Sequence, residues 1–324
     1  MKFISHTIAA AALLFVGASQ MQAQKSTLRT DKSLDVDYYH LRLGIPVERN
    51  YLIGEADVYF KTDSINIRLD LSSALKVNSV KGAGEFRQDK DALYVRLDGT
   101  SLLENGRRKI TINYEGTPLT IDQQGTKRGL VYKEVGKDKT PIIAAVSEPE
   151  HAHLWFPCHN TFGDKADSLR IDITIPDKST EFVDDKGKKQ KVPYTAVANG
   201  KLAQTLKNDD GTRTYVWKTA YPIHPQFATI AVGDFAKSTT PWMSEETGEK
   251  FPLHFYVRPA DMAAAKGVML RVPEIMTCLT NTFGNYPFAK EGFSLVHLSG
   301  ISTGKYGTNT QGIVLMEDLM GIHI

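Results

Sequence analysis

Cysteine is scarce: Cys158 and Cys278 are the only two in 324 residues, too few and too far apart for a disulfide framework. An exporting compartment would permit them to pair, and buried free cysteine is common in its own right, so both states stay open. Long apolar runs are lacking as well. The run at 8–16 is shorter than the roughly 20 residues that span a bilayer, and no later segment is apolar enough, so a membrane is not an expected partner. Neither sign of charge is in excess, with 39 Lys and Arg against 37 Asp and Glu, a net +2. With no basic stripe or block, nucleic acid is not an expected partner either. There is no Gly-x-Ser-x-Gly elbow and no phosphate-binding glycine pattern. Cys158 follows a proline and has no recognisable base near it in sequence.

What is present suits a folded globular protein: 41% hydrophobic and 9% aromatic residues. Residues 1–23 stand apart. Lys2 supplies a basic start, the apolar run follows, and Met21-Gln22-Ala23 offers small residues for cleavage. That layout is a secretory signal peptide, without a cysteine for a lipid anchor. The expected location is therefore outside the cytoplasm, periplasmic or secreted, as a soluble protein.

From 34 to about 235 the chain reads as β-strands separated by turns. Alternation is clear in Leu41-Arg42-Leu43-Gly44-Ile45, Ile65-Asn66-Ile67-Arg68-Leu69-Asp70-Leu71, Leu93-Tyr94-Val95-Arg96-Leu97, Ile110-Thr111-Ile112-Asn113-Tyr114 and Leu169-Arg170-Ile171-Asp172-Ile173-Thr174-Ile175. Period-two alternation buries one sheet face and wets the other, as antiparallel sandwiches require. Asn105-Gly106, Asn199-Gly200 and Asp210-Gly211 read as hairpin turns. The stretch 237–250 loses its apolar pattern and reads as a linker, followed by a strand at 253–257. A first helix is expected near Ala260, with Met269, Val272, Met276, Leu279 and Phe283 as its apolar stripe. Pro273 lies inside that pattern and predicts a kink or two consecutive helices. Strands at 293–298 and 312–316 follow. The change from all-β to mixed elements sets a domain boundary near 240.

The run Glu148-Pro149-Glu150-His151-Ala152-His153-Leu154-Trp155-Phe156-Pro157-Cys158 is the most distinctive in the chain. It resembles the E-P-x-x-A-R-x-x-F-P-C segment of zinc aminopeptidases of the aminopeptidase N (gluzincin) family. Ala198-Asn199-Gly200-Lys201-Leu202 is similar to that family's S-N-G turn, and Ala231-Val232-Gly233-Asp234-Phe235 to the end of its first domain. Phe283-Gly284-Asn285-Tyr286-Pro287-Phe288-Ala289-Lys290 resembles its F-G-x-x-Y-P-F-x-K segment. The resemblance implies a mainly β fold: an antiparallel, saddle-like β-sandwich at 24–240, then the α+β beginning of a thermolysin-like catalytic domain at 241–324.

It also implies a site. The Glu148 position helps bind the free amino terminus of a peptide, since an ammonium taken from water needs charge-assisted acceptors. The family's G-x-M-E-N loop falls on Tyr306-Gly307-Thr308-Asn309-Thr310, making Gly307, Thr308 and Asn309 substrate-binding candidates. Asn309 stands where the family has glutamate, and an amide accepts a hydrogen bond without carrying charge. No catalytic residue is assigned in this chain, and no metal ligand. The complete family enzyme holds zinc through His-Glu-x-x-His and a later glutamate, and that motif is absent from the sequence. His151, His153 and His159 offer a His-x-His pattern on a presumed strand, read as surface or hydrogen-bonded histidines rather than ligands. Trp155 and Phe156 read as core.

Two functions stay open. One is the amino-terminal part of an exported zinc metallo-aminopeptidase that removes amino-terminal residues from peptides, inactive in this portion alone. The other is a non-catalytic β-domain binding or scaffold protein. On either, 250–324 is expected to expose apolar sheet surface for want of covering helices.

Overall fold

The computed structural model describes residues 33–183, 187–244, 247–303 and 307–319. The signal peptide expected at 1–23 and the candidate loop's Tyr306 lie outside these residues. Among the described residues the chain is mainly β, as the alternating segments predict. A seven-stranded sheet has the order Lys201–Lys207, Thr212–Lys218, Ser168–Pro176, Asp35–Gly44, Leu52–Lys61, Arg108–Gly116, Leu75–Lys81. A five-stranded sheet runs Thr195–Ala198, Ile230–Gly233, Thr140–Val146, Thr126–Val135, Thr120–Gln123. Within these two sheets pairing is antiparallel except between Asp35–Gly44 and Ser168–Pro176 at the centre of the larger one. Leu41, Leu43, Val58, Ile110 and Ile171 from the large sheet share one core with Val131, Ile142, Val197 and Ile230 from the smaller.

Asn199-Gly200 departs from its hairpin reading. The strands on either side, Thr195–Ala198 and Lys201–Lys207, belong to different sheets, so the turn is a crossover. Gly200 (φ +87) is held there because a Cβ would collide with the Lys218 backbone.

Residues 237–250 are not a linker. Ala236–Met243 forms a full strand on Lys250–Val257, with Thr239 opposite His254 and Trp242 opposite Phe251. It is an edge strand whose outward residues are Lys237, Thr239, Pro241 and Met243, while the polar Ser238 and Thr240 share the inward face with Trp242, and that mixture masked its period. The carboxy-terminal sheet thus takes in residues on both sides of position 240: Ala236–Met243, Lys250–Val257, Phe293–His297, Ile313–Met316 and, at its other end, Thr308–Thr310.

One helix, α1 (Met262–Phe283), covers a face of this sheet and runs unbroken through Pro273. Its buried face is Ala265, Val268, Val272, Met276 and Thr280, rather than the stripe that includes Leu279 and Phe283. Those two are 46% and 81% exposed. Thr280 can take the inward position because its hydroxyl donates to Met276 O at 2.9 Å. The other face of the sheet is covered by the β-domain: Tyr256, Val296, Leu298, Ile301, Ile313 and Leu315 join the sandwich core. The sheet is therefore not bare, and the exposed apolar surface lies on the outer side of α1 instead. Cys158 is buried and Cys278, on α1, is exposed; no disulfide joins them.

A buried ion pair fastens the junction. Arg258, just before the helix, donates from Nε to Asp234 Oδ1 at 2.8 Å, and Thr180 Oγ1 donates to Asp234 Oδ2 at 3.1 Å. Removing one partner of such a pair strands the other charge out of water, which costs about 3–5 kcal/mol. Asp234→Ala should lower the unfolding free energy in urea by about that amount.

Candidate functional site

Glu148 stands where the chain leaves the five-stranded sheet. Val146 is still paired with Gly129, and the next residues close a turn in which His151 N donates to Ser147 O at 2.6 Å. Ser147 anchors the turn, donating from Oγ to Ala228 O (2.7 Å) and accepting from Trp155 Nε1 (2.9 Å). The Glu148-Pro149 peptide is cis. Trp155 and Phe156 are fully buried, as expected for core residues. Tyr114 OH donates to Trp155 O at 3.1 Å. The Tyr114 ring lies over Gly54, where a Cβ would come within 2.2 Å of the ring's Cζ. Asp70 and Cys158 exchange both backbone hydrogen bonds.

The Glu148 carboxyl is half-buried. Burial raises its pKa above the ordinary glutamate value, and the Arg128 guanidinium works in the opposite direction. Arg128 lies on the neighbouring strand, one residue before Gly129, at which a side chain would collide with Leu119 O and Leu154 (φ +89). Burial lowers the Arg128 pKa, and its Nε and Nη1 are both buried without a hydrogen-bond partner.

His151 likewise has both ring nitrogens buried without a partner. Its pKa is lowered, by burial first and then by the neighbouring His153, which keeps it neutral at pH 7. His153 places Nδ1 3.0 Å from Glu150 O. These histidines occupy a turn and a short 3-10 helix, Ala152–Leu154, not a strand, so the shared face expected of His-x-His does not arise. His159 Nδ1 sits 2.6 Å from Asp164 Oδ2 in a separate buried contact. Among the described residues no group of three His, Cys, Asp or Glu is placed to hold a metal.

The second candidate segment is the terminal strand Thr308–Thr310 of the carboxy-terminal sheet, paired antiparallel with Ile313–Met316. Gly307 (φ +80) lets it approach, since a Cβ there would press on Leu315 O at 2.6 Å. Asn309 lies opposite Val314. Thr308 is buried and donates from Oγ1 to Thr303 O at 3.0 Å, and the adjacent Ser302 O accepts from Lys127 N at 2.9 Å. The strand that carries Arg128 and the strand that carries Thr308 are thus joined through two consecutive residues. Glu148 follows Val146, which pairs with Gly129 on that same Arg128 strand.

Asn199 holds that junction at the other end. Its Nδ2 donates to Phe227 O (3.0 Å) and to Gln311 O (2.9 Å), and its Oδ1 accepts from Thr229 N (2.6 Å). Glu291 adds a further tie, accepting from Ala220 N at 2.5 Å with its pKa raised by burial. Sequence reading placed Asn199 in a turn without seeing its side chain's work, and passed over Arg128 altogether. A lone arginine on a strand gives no signal. Arg128 precedes Gly129, the partner of Val146, and that neighbourhood is identifiable only once register is known.

No protein-family model matches the sequence, and neither does any curated protein. Solved structures do match in fold. An M1 zinc metallopeptidase from Deinococcus radiodurans, in a form bound to a Tyr-Ser-Ala substrate, superposes with a TM-score of 0.69 at 19% identity, over 90% of this chain and 62% of that one. A two-domain M1 zinc metallopeptidase bound to L-tryptophan gives 0.69 at 18%, with the same coverage. Legionella pneumophila aminopeptidase A, in complex with aspartic acid, gives 0.65 at 15%, over 89% of this chain and 31% of that one. The chain therefore spans about three fifths or less of the length of these structures. Its fold is that of the amino-terminal portion of M1 zinc aminopeptidases, as the collinear segments implied.

Two outcomes follow from this geometry. Asn199→Ala leaves the buried Thr229 N–H without an acceptor, a loss of about 1–3 kcal/mol, readable in urea unfolding and as faster amide exchange around Gln311. Glu148 has a raised pKa, so its linked contribution to stability is full below the ordinary value of 4.5 and is lost as pH rises through the raised one. Glu148→Gln should flatten the fall in melting temperature above pH 4.5, measured by a thermal scan at each pH.

Proposed function

We propose that this chain is the amino-terminal part of an exported zinc metallo-aminopeptidase, and that Glu148 receives the amino terminus of the peptide. The observation that carries the reading is a half-buried carboxylate just past the strand Thr140–Val146, whose neighbour Thr126–Val135 is tied by Lys127 N to Ser302 O in the segment leading to the edge strand Thr308–Thr310, in a fold shared with M1 zinc aminopeptidases. A terminal strand keeps one row of backbone groups outside the ladder, and an extended peptide can add to it by β-augmentation. Its ammonium then meets Glu148, already partly dehydrated, where a charge-assisted bond counts for more than in water. Gly307, Thr308 and Asn309 supply backbone contacts along the peptide.

In the complete family enzyme, zinc activates the water that cleaves the bond. The described residues do not form a zinc site, so what this chain contributes is binding and orientation. Export rests on the basic, apolar and small-residue layout of 1–23. The uncharged Asn309 at the second amine-binding position favours the other reading, a domain that binds peptides or partners without hydrolysis.

The test uses the complete gene product. Tripeptides with a free amino terminus should bind on the order of tenfold tighter than their N-acetylated forms, and Glu148→Ala should erase the difference in calorimetry. Release of the first residue, lost on chelation and restored by zinc, separates the enzyme from the binding module. Equal affinity for free and acetylated peptides would overturn the amine-binding role.

A further inference from the structure

Apart from the Glu148 turn, the β-domain and the carboxy-terminal part together line a cavity of about 250 Å³. The β-domain gives it Lys165, Pro222, His224 and Phe227. The carboxy-terminal part gives Phe288 and the end of the terminal strand at Thr310 and Gln311. Its walls are fixed from several sides. Ala166 and Ile223 exchange both backbone hydrogen bonds, at 3.1 and 2.8 Å, which sets Lys165 across from His224. The Phe288 ring stands edge-on to Tyr221 (5.5 Å, 82°) and to Tyr286 (5.8 Å, 83°). One amide, that of Asn199, holds the carbonyls of both Phe227 and Gln311. Phe227 and Phe288 are nonetheless only half-buried, which leaves apolar surface for a ligand to cover.

The polar groups of the lining are nearly all committed. His224 Nε2 lies 2.5 Å from Thr161 O, and its Nδ1 accepts from Gln226 N at 3.2 Å. Burial, ahead of every other cause, lowers the His224 pKa, so it presents a neutral ring. Thr310 Oγ1 donates to Ile313 O at 3.1 Å. The Gln311 amide nitrogen is sealed within the protein, out of a ligand's reach. Lys165 is the exception. It is exposed, it is the only charged residue of the lining, and it has no ion pair or hydrogen bond among the described residues. Its charge acts on His224, which places the ammonium near that wall. Two carboxylates in the neighbourhood are engaged elsewhere and do not line the cavity. Asp164 Oδ2 accepts from Val36 N at 3.2 Å and lies 2.6 Å from His159 Nδ1, and Glu291 accepts from Ala220 N.

A group that fits brings an apolar body for the rings and a negatively charged acceptor for Lys165. The cavity is smaller than the roughly 300–1,000 Å³ of pockets that enclose a drug-sized ligand, so that body is a single ring or branched chain. We propose that this cavity is a second ligand site, which binds a small aromatic or branched apolar group carrying a carboxylate, with the body against Phe227 and Phe288 and the carboxylate on Lys165. A free monocarboxylic acid and the carboxy-terminal residue of a peptide both present that chemistry. The site does not depend on the amine-binding reading of Glu148 and goes beyond the proposed function. Because both parts of the chain line it, an occupant bridges them.

Calorimetry on the complete gene product compares 3-phenylpropionate with 3-phenylpropanamide, and N-acetyl-Gly-Phe with its carboxamide. The acetyl group keeps the peptides clear of the amine-binding role of Glu148. In each pair that binds, the acid should bind about threefold tighter, the scale of one partly exposed ion pair. Lys165→Gln, at an exposed position where the fold does not depend on the charge, should bring that ratio close to one. Phe288→Leu should weaken acid and amide alike by about threefold, since it keeps most of the volume and removes the ring. Binding by the free acid alone assigns the site to small acids, and binding by the peptide acid, alone or as well, admits carboxy-terminal residues; each supports the proposal. No binding by either acid overturns it. So does an acid-to-amide ratio near one in the unaltered protein, a ratio that Lys165→Gln leaves unchanged, or affinities that Phe288→Leu leaves unchanged.

Discussion

Everything near the candidate site depends on burying a stretch of chain that has almost no regular structure. From Glu150 to Thr161 nearly every residue is buried, yet the segment contributes only one turn of 3-10 helix. A backbone taken out of water must find partners for its N–H and C=O groups, and a loop cannot find them in itself. Here they come from several sheets. Cys158 pairs with Asp70, Ser72 N bonds His153 O, His159 N bonds Tyr39 OH, and Trp155 is held by both Tyr114 and Ser147. The Trp155 and Phe156 side chains supply the driving force, about 1.5–3 kcal/mol for a large apolar group fully removed from water. The sheets around this segment are positioned by it as much as they position it.

The same constraint explains why Glu148 can be half-dehydrated without collapsing into a salt bridge. Its backbone is fixed on both sides, by the last ladder pair at Val146 and by the Ser147 turn, so its carboxylate is presented rather than packed. The terminal strand Thr308–Thr310 is fixed with comparable economy. Thr303 and Ser302 tie it to the Arg128 strand, and Asn199 ties the following residue to the turn after Phe227. Both candidate segments are thus placed by hydrogen bonds of the backbone, the kind of fixed support that a selective binding site needs.

Much of the fold was legible because alternation is a direct image of one-sided burial. Leu41, Leu43, Ile110, Ile112, Ile171 and Ile173 all face the core as their period requires. Legibility failed where a polar side chain does the work of an apolar one or an edge has water on its side. Ala236–Met243 is an edge strand with Ser238, Thr239 and Thr240 in place of an apolar period. Thr280 faces inward on α1 because it bonds its own helix, which turns Leu279 and Phe283 outward. The His151–His153 spacing implied a shared face only on a strand, and these residues are in a turn. For the site, the motif around Phe156-Pro157-Cys158 pointed to Glu148. Arg128 and the Asn199 side chain stayed invisible, since their roles arise from register and crossover and leave no local pattern.

Gly54 shows how far the site's requirements reach. It sits in mid-strand, well away in sequence from Glu148, and leaves room for the face of the Tyr114 ring, whose hydroxyl holds Trp155 in place. The gene therefore exposes a larger target to damaging mutation than the candidate residues alone suggest. A single methyl group gained in an ordinary-looking strand travels, by way of one aromatic ring, to the turn that carries Glu148. Such requirements act on volumes and hydrogen bonds rather than on letters, which fits an architecture shared at 15–19% identity.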